Sequence, residues 1–161
     1  MAEVAATTIR IGEDDFDLST EVARLRVSQP QVGAVVAFVG TVREMNEGTR
    51  VSAMTLEHYP GMTERSIQAI VAQANARWPL TATLVVHRVG TLQPRDQIVL
   101  VAVASAHRGE AFAACEFIMD YLKTQAPFWK KEQTPDGARW VDARSTDDAA
   151  LAKWHAASHD L

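Results

Sequence analysis

Four lysines stand against twelve arginines in this chain, and three of the four, Lys123, Lys130 and Lys131, fall within nine residues. They belong to the stretch FIMDYLKTQAPFWKKE, residues 117–132. A desolvated ammonium can lose its proton and act as a base or nucleophile, which a guanidinium in effect cannot. The lysines sit among Tyr121, Phe128 and Trp129, which can supply an apolar wall. A helical pattern ends near Lys123, because the residue preceding Pro127 is driven out of the α region. Lys130 follows on an extended segment. A helix end and a strand start can therefore aim two amines at one point. The plainer alternative has Lys123 complementing a helix C-terminus, with Lys130 and Lys131 solvated. Spacing alone leaves both open.

Further cations close other elements. Arg43 ends a β-branched strand pattern just before a glycine-bearing loop, and the pair His107-Arg108 ends the most apolar strand pattern just before a helix. That helix start, at Gly109-Glu110, offers free backbone N–H groups and a positive dipole end, suited to phosphate or carboxylate. Arg144 ends the final strand pattern. Each group alone reads equally well as a charged strand end in water. Converging on one cleft, Arg43, His107, Arg108, Lys123, Lys130 and Arg144 would bind an anion.

The other candidates are weaker. Cys115 sits on the apolar stripe of its helix, where cysteines act as small hydrophobes. His155 and His159 have i,i+4 spacing without the glutamate of HExxH. His58 and His87 are lone histidines in strands and read as structural or surface residues. Trp78, Trp129 and Trp140 read as core or cleft walls. The phosphate-binding GxxxxGK[ST] and GxGxxG patterns and the GxSxG elbow do not occur.

The elements that must position these residues follow from pattern. Strands are expected at 7–12, 34–43, 51–59, 81–89, 98–106, 127–132 and 138–144. Gly40 marks a bulge or close backbone approach within its strand. Helices are expected at 17–27, capped by Asp17 or Ser19 with Val22 and Leu25 inward, at 63–78, capped by Thr63, and at 109–125. Residues 44–50 read as a flexible loop able to act as a lid. A loose helix around Trp154 closes the chain. Strands 98–106 are almost wholly apolar, as a strand buried on both faces should be. The order mixes strand pairs with helices, which makes the fold class α+β with a mixed, largely antiparallel sheet and two main helices. One domain is expected over 1–145, with 146–161 a polar C-terminal tail.

Composition narrows the function. The net charge of −4 is uneven, with −5 over residues 1–22, −2 over 145–161 and +3 between. A basic middle in an acidic chain suits a small anion or an acidic peptide, not the broad basic surface of nucleic-acid binding. No run of eighteen apolar residues suggests a membrane span, and the first residues lack a secretory signal pattern. One cysteine fits a reducing cytoplasm.

FVGTVR (38–43), LEHYPGM (56–62), SAHR (105–108) and FIMDYLKTQAPFWKKE (117–132) closely resemble the large, catalytic subunit of molybdopterin synthase, the MoaE family. The resemblance runs from about residue 33 to residue 144. It implies an α/β hammerhead-type fold and a homodimer within a heterotetramer. Each large subunit would bind one small ubiquitin-like sulfur-carrier subunit of MoaD type, whose C-terminal Gly-Gly thiocarboxylate enters a pocket. The implied substrate is cyclic pyranopterin monophosphate, converted to molybdopterin by two sulfur transfers in molybdenum cofactor biosynthesis. No cofactor or metal is implied for this step. The family's active-site lysines match Lys123 and Lys130, and its substrate-binding positions match Arg43, His107, Arg108 and Arg144 as well as the two lysines. A non-catalytic adaptor that only docks the carrier tail is the competing reading. Two lysines plus separate phosphate-type groups exceed what one tail needs.

Overall fold

A computed structural model describes residues 5–141 and 145–157 of the chain. The strand predicted to be buried on both faces, β8 (Gln97–Ser105), lies inside a four-stranded sheet. Side chains alternate across a strand, and both faces of β8 are covered. Val99, Val101 and Val103 join a core with Ile67, Ile70, Phe117 and Ile118. Leu100, Ala102 and Ala104 join another with Phe16 and Leu25. Its neighbours are β6 (Leu80–Arg88) and β2 (Ala34–Thr41), both antiparallel to it. β1 (Ala6–Gly12) pairs parallel with β6 at one edge, and β2 forms the other.

Three helices supply the cover. α1 (Leu18–Arg26) is capped by Asp17, whose side chain accepts from the Thr20 N–H at 2.9 Å. Its buried positions are Leu25 and Glu21; the expected Val22 is only half-buried. Glu21 is tolerated inside because Arg10 and Arg24 both pair with it. α2 (Met62–Arg77) and α3 (Arg108–Gln125) cover the opposite face. The cap of α2 is Gly61, at φ 84°, not the expected Thr63. Thr63 lies one residue into the helix, wholly buried, with its hydroxyl donating to the Tyr59 carbonyl at 2.8 Å. The Pro60-Gly61 turn needs a left-handed residue, and glycine takes that conformation without strain.

A second antiparallel sheet has the order β10-β9-β5-β7. It comprises β5 (Ala53–His58), β7 (Gly90–Leu92), β9 (Phe128–Thr134) and β10 (Gly137–Val141). Met54, Leu56 and Leu92 pack with Val42 as its core. The segment expected to be a loose lid is instead a hairpin of β3 (Met45–Asn46) and β4 (Thr49–Arg50). Glu47 and Gly48, at φ 52° and 77°, form its two-residue turn. Positive φ at both central residues matches the strand twist, and this decides the hairpin over a loop. Of the segment expected to be a tail, residues 158–161, His159 among them, lie outside the described residues, and α4 (Ser145–Ala157) takes up residues 146–157. Its Trp154 packs edge-on against Trp78 and Phe117, and its indole N–H donates to Asp120 Oδ2 at 2.6 Å. No described helix is long and apolar enough to cross a membrane.

Candidate active site

The two sheets and the C-terminal end of α3 enclose a cavity of about 560 Å³. Three elements deliver cations to it. Arg43 follows the end of β2, Lys123 lies in the last turn of α3, and Lys130 lies on β9. The β9 alternation sorts the lysine cluster. Phe128, Lys130 and Glu132 line the cavity, whereas Trp129 and Lys131 do not. Lys131 lies over the Trp140 ring, 5.5 Å from its centroid, and Trp129 meets Tyr59 edge-on at 4.5 Å. The lysine pair that sequence spacing singled out therefore shares one cavity, and the third lysine takes the opposite face.

The strand end that presents Arg43 is shaped by Gly40. The β2–β8 register shifts between Gly40 and Thr41. A Cβ on Gly40 would come within 2.9 Å of the Val99 side chain, so the close approach predicted there is real. Beyond the bulge, Arg43 Nη2 donates to Asn46 Oδ1 at 3.2 Å. Asn46 is buried and donates through Nδ2 to Glu132 Oε1 at 2.8 Å. Arg139 adds a charged contact to the same Glu132 oxygen at 3.4 Å. Because Glu132 accepts only, it fixes the Asn46 amide with its oxygen toward Arg43. Asn46 and Glu132 were not singled out in the sequence. Their contact spans 86 positions and has no local signal.

The rest of the wall is mostly apolar, including Met54, Leu56, Ile98, Met119 and Leu122. Cationic groups on a wall of low polarizability attract anions more strongly than the same groups in open water. Lys123 is exposed in the single chain, and Lys130 is half-buried. The desolvation expected for Lys123 thus has to come from whatever fills the cavity, not from Phe128 or Trp129.

His87, which sequence reasoning set aside, also lines the cavity. Its ring stacks on Phe128 at 3.8 Å between centroids and 16° between planes. Burial pushes its pKa down to about 4, opposed by the hydrogen bond to the Arg88 carbonyl and helped by the charges of Lys123 and His58. Its signal in the sequence was slight: a histidine at the end of an otherwise apolar strand.

Two expected members lie elsewhere. His107 caps α3 and Arg108 begins it, both exposed, and neither lines the cavity. Lys123 lies fifteen positions further along the same helix, roughly 22 Å away at 1.5 Å per residue. One chain cannot bring these groups together. Arg144 lies outside the described residues, although Val141 and Asp147 on either side of it line the cavity. Cys115 is buried, its thiol raised to about 11 by burial, and Sγ donates to the Val101 carbonyl at 3.6 Å. A thiol held neutral in this way is no nucleophile. Among the described residues, no group of three or more His, Cys, Asp or Glu could hold a metal ion.

The two-sheet α+β fold, with Arg43, Lys123 and Lys130 sharing one cavity among apolar side chains, defines an α+β protein with a cationic cleft. The family profile described as "MoaE protein" matches residues 11–125, and the chain belongs to that family. A "Molybdopterin synthase catalytic subunit" from Ralstonia nicotianae is 68% identical over 147 residues, covering 91% of this chain and 84% of that protein. The protein of the same name from Escherichia coli K12 is 52% identical, covering 94% of this chain and 100% of its own length. Among solved structures, the "Molybdopterin biosynthesis MoaE protein" from Burkholderia ambifaria MC40-6 superposes with a TM-score of 0.80 at 63% identity. It covers 92% of this chain and 98% of that one.

Proposed function

We propose that the chain is the catalytic subunit of a molybdopterin synthase. It acts as a sulfurtransferase that moves sulfur from the C-terminal thiocarboxylate of a small ubiquitin-like, MoaD-type carrier onto cyclic pyranopterin monophosphate. The observation that carries this reading is the convergence of Arg43, Lys123 and Lys130 on one cavity. Relatives named as the catalytic subunit of this enzyme support it across nearly the whole chain.

The chemistry asks for what the cavity holds. Both reactants are anionic, and both are attracted by the same cations. Sulfur arrives on the partner, so the chain needs no thiol of its own, and Cys115 remains a core residue. An amine that loses its proton once the carrier tail has displaced water can serve as base or transient nucleophile. We assign that role to Lys123, and to Lys130 the charged role of holding the thiocarboxylate or the departing phosphate oxygen. Arg43, held by Asn46, binds the phosphate.

His107 and Arg108 complete the site from a second copy of the chain. Among the described residues β2 is an edge strand, and its outer backbone groups can meet another strand. Two copies related by a two-fold axis at that edge run β2 antiparallel to β2. The Ala34 end of one strand then lies beside the Thr41 end of the other. Ala34 pairs with Ser105, just before His107, whereas Thr41 leads to Arg43 and the cavity. The symmetry thus carries His107 and Arg108 of one copy toward the lysines of its mate.

The test is a single-turnover reaction of this chain with thiocarboxylated carrier and cyclic pyranopterin monophosphate. Molybdopterin should form. Tight carrier binding without product would establish the adaptor reading instead.

A further inference from the structure

A cavity that must hold cations for anionic reactants also has to hold its amines still. The carboxylates that share the cavity with Lys123 are unsuited to that task. Glu132 is engaged by Asn46 and Arg139. Asp147, from α4, would neutralise the charge it held. His87 is different. The Arg88 carbonyl, which can only accept, lies 2.8 Å from His87 Nδ1, so Nδ1 carries the ring proton. In the neutral ring Nε2 is then an acceptor, and the ring is fixed against Phe128 at the cavity wall.

We propose that His87 is a positioning residue for Lys123: once the carrier tail fills the cavity, Nε2 accepts a hydrogen bond from the amine, exposed in the single chain, and holds it over the cavity without cancelling its charge. This rests on the reading of Lys123 as the residue nearest the chemistry. The groups that face His87 agree with an uncharged acceptor. Lys123 on α3 and His58 on β5 both oppose its protonation, as does burial. Arg43 and Lys130 add further positive charge to the same cavity, against the carboxylates of Glu132 and Asp147. An uncharged imidazole leaves the amine its charge for the anionic reactants, which a carboxylate partner would cancel.

Two measurements test this. The first needs no pterin. With only four lysines, a ¹⁵N spectrum selective for ammonium groups resolves each one, and Lys123→Arg identifies the Lys123 signal. With the carrier bound, a slowly exchanging Lys123 amine is expected in the wild-type chain, in His87→Gln and in Asp147→Asn, and its loss is expected in His87→Phe. Retention in His87→Phe, absence from the wild type, or loss only in Asp147→Asn would overturn the proposal. The second measurement is single turnover in the complex with thiocarboxylated carrier. His87→Phe should lose about tenfold or more in the single-turnover rate constant at an unchanged half-saturating concentration of the pterin, and His87→Gln should regain most of it. Equal losses in both variants would make His87 a packing residue and overturn the assignment. Should His87→Phe not fold, His87→Leu takes its place. A wild-type chain that makes no molybdopterin defeats the functional reading, while the spectra still judge the hydrogen bond.

Discussion

Lys123 and Lys130 reach one cavity from different elements, and replacing each by arginine separates charge from proton transfer. Lys123→Arg should lose most single-turnover formation of molybdopterin while still binding the carrier. Lys130→Arg should retain more. Wild-type rates in Lys123→Arg would remove that residue from any proton-transfer or nucleophilic role. Cys115 gives the opposite expectation: Cys115→Ala should keep its turnover, and loss of activity in the folded variant would point to sulfur carried on this thiol. His87 makes a prediction about stability. Its pKa is about 4 in the folded chain and about 6.5 when unfolded. Between those values the unfolded chain binds more protons, so stability falls as pH drops from about 6.5 to about 4 and then levels off. The loss from this one residue is on the order of 3 kcal/mol. Urea unfolding at stepped pH should show that slope in the wild type and a shallower one in His87→Phe.

At the scale of elements, the strands were legible wherever β-branched residues alternate or run together, as in β2, β6 and β8. Gly40 announced its bulge, because a glycine inside such a run has few other reasons to be there. The β3–β4 hairpin was not legible, since its residues are polar and what holds it comes from β9. Asn46 is the tie, and its loss is testable. Asn46→Ala removes the bonds to Arg43 and Glu132, leaving a buried carboxylate short of a partner. It should cost about 1–3 kcal/mol in stability and weaken binding of the pterin phosphate more than that of the carrier, as read by titration of each. The cap of α2 was misplaced for a related reason. Thr63 has the right side chain for a cap, but the backbone turn at Gly61 determines where the helix begins. His87 was passed over because a lone histidine on an apolar strand resembles a core residue, and its place in the cavity depends on Phe128, 41 positions away in the chain.

For the whole molecule, the separation of Arg108 from Lys123 along α3 leads to a mixing experiment. Lys123→Arg and Arg108→Ala should each be impaired alone. If the site is shared between copies, mixed dimers regain one intact site, with Lys123 from one chain and Arg108 from the other. Random exchange of equal amounts should therefore restore about a quarter of wild-type activity. No recovery on mixing would mean that one copy supplies both groups. Sequence could not assign these groups to one copy or the other, because it lists the groups of a site without saying which copy holds them. The parallel pairing of β1 with β6 has a consequence of another kind, in time. β1 leaves the ribosome roughly seventy residues ahead of its partner, a wait of several seconds or more at cellular rates of synthesis. Until then its exposed, β-prone segment has no native neighbour, and its pairing is long-range and slow to form. The acids that crowd residues 13–17 accompany it through that interval, and like charges there keep two nascent chains from sticking to each other.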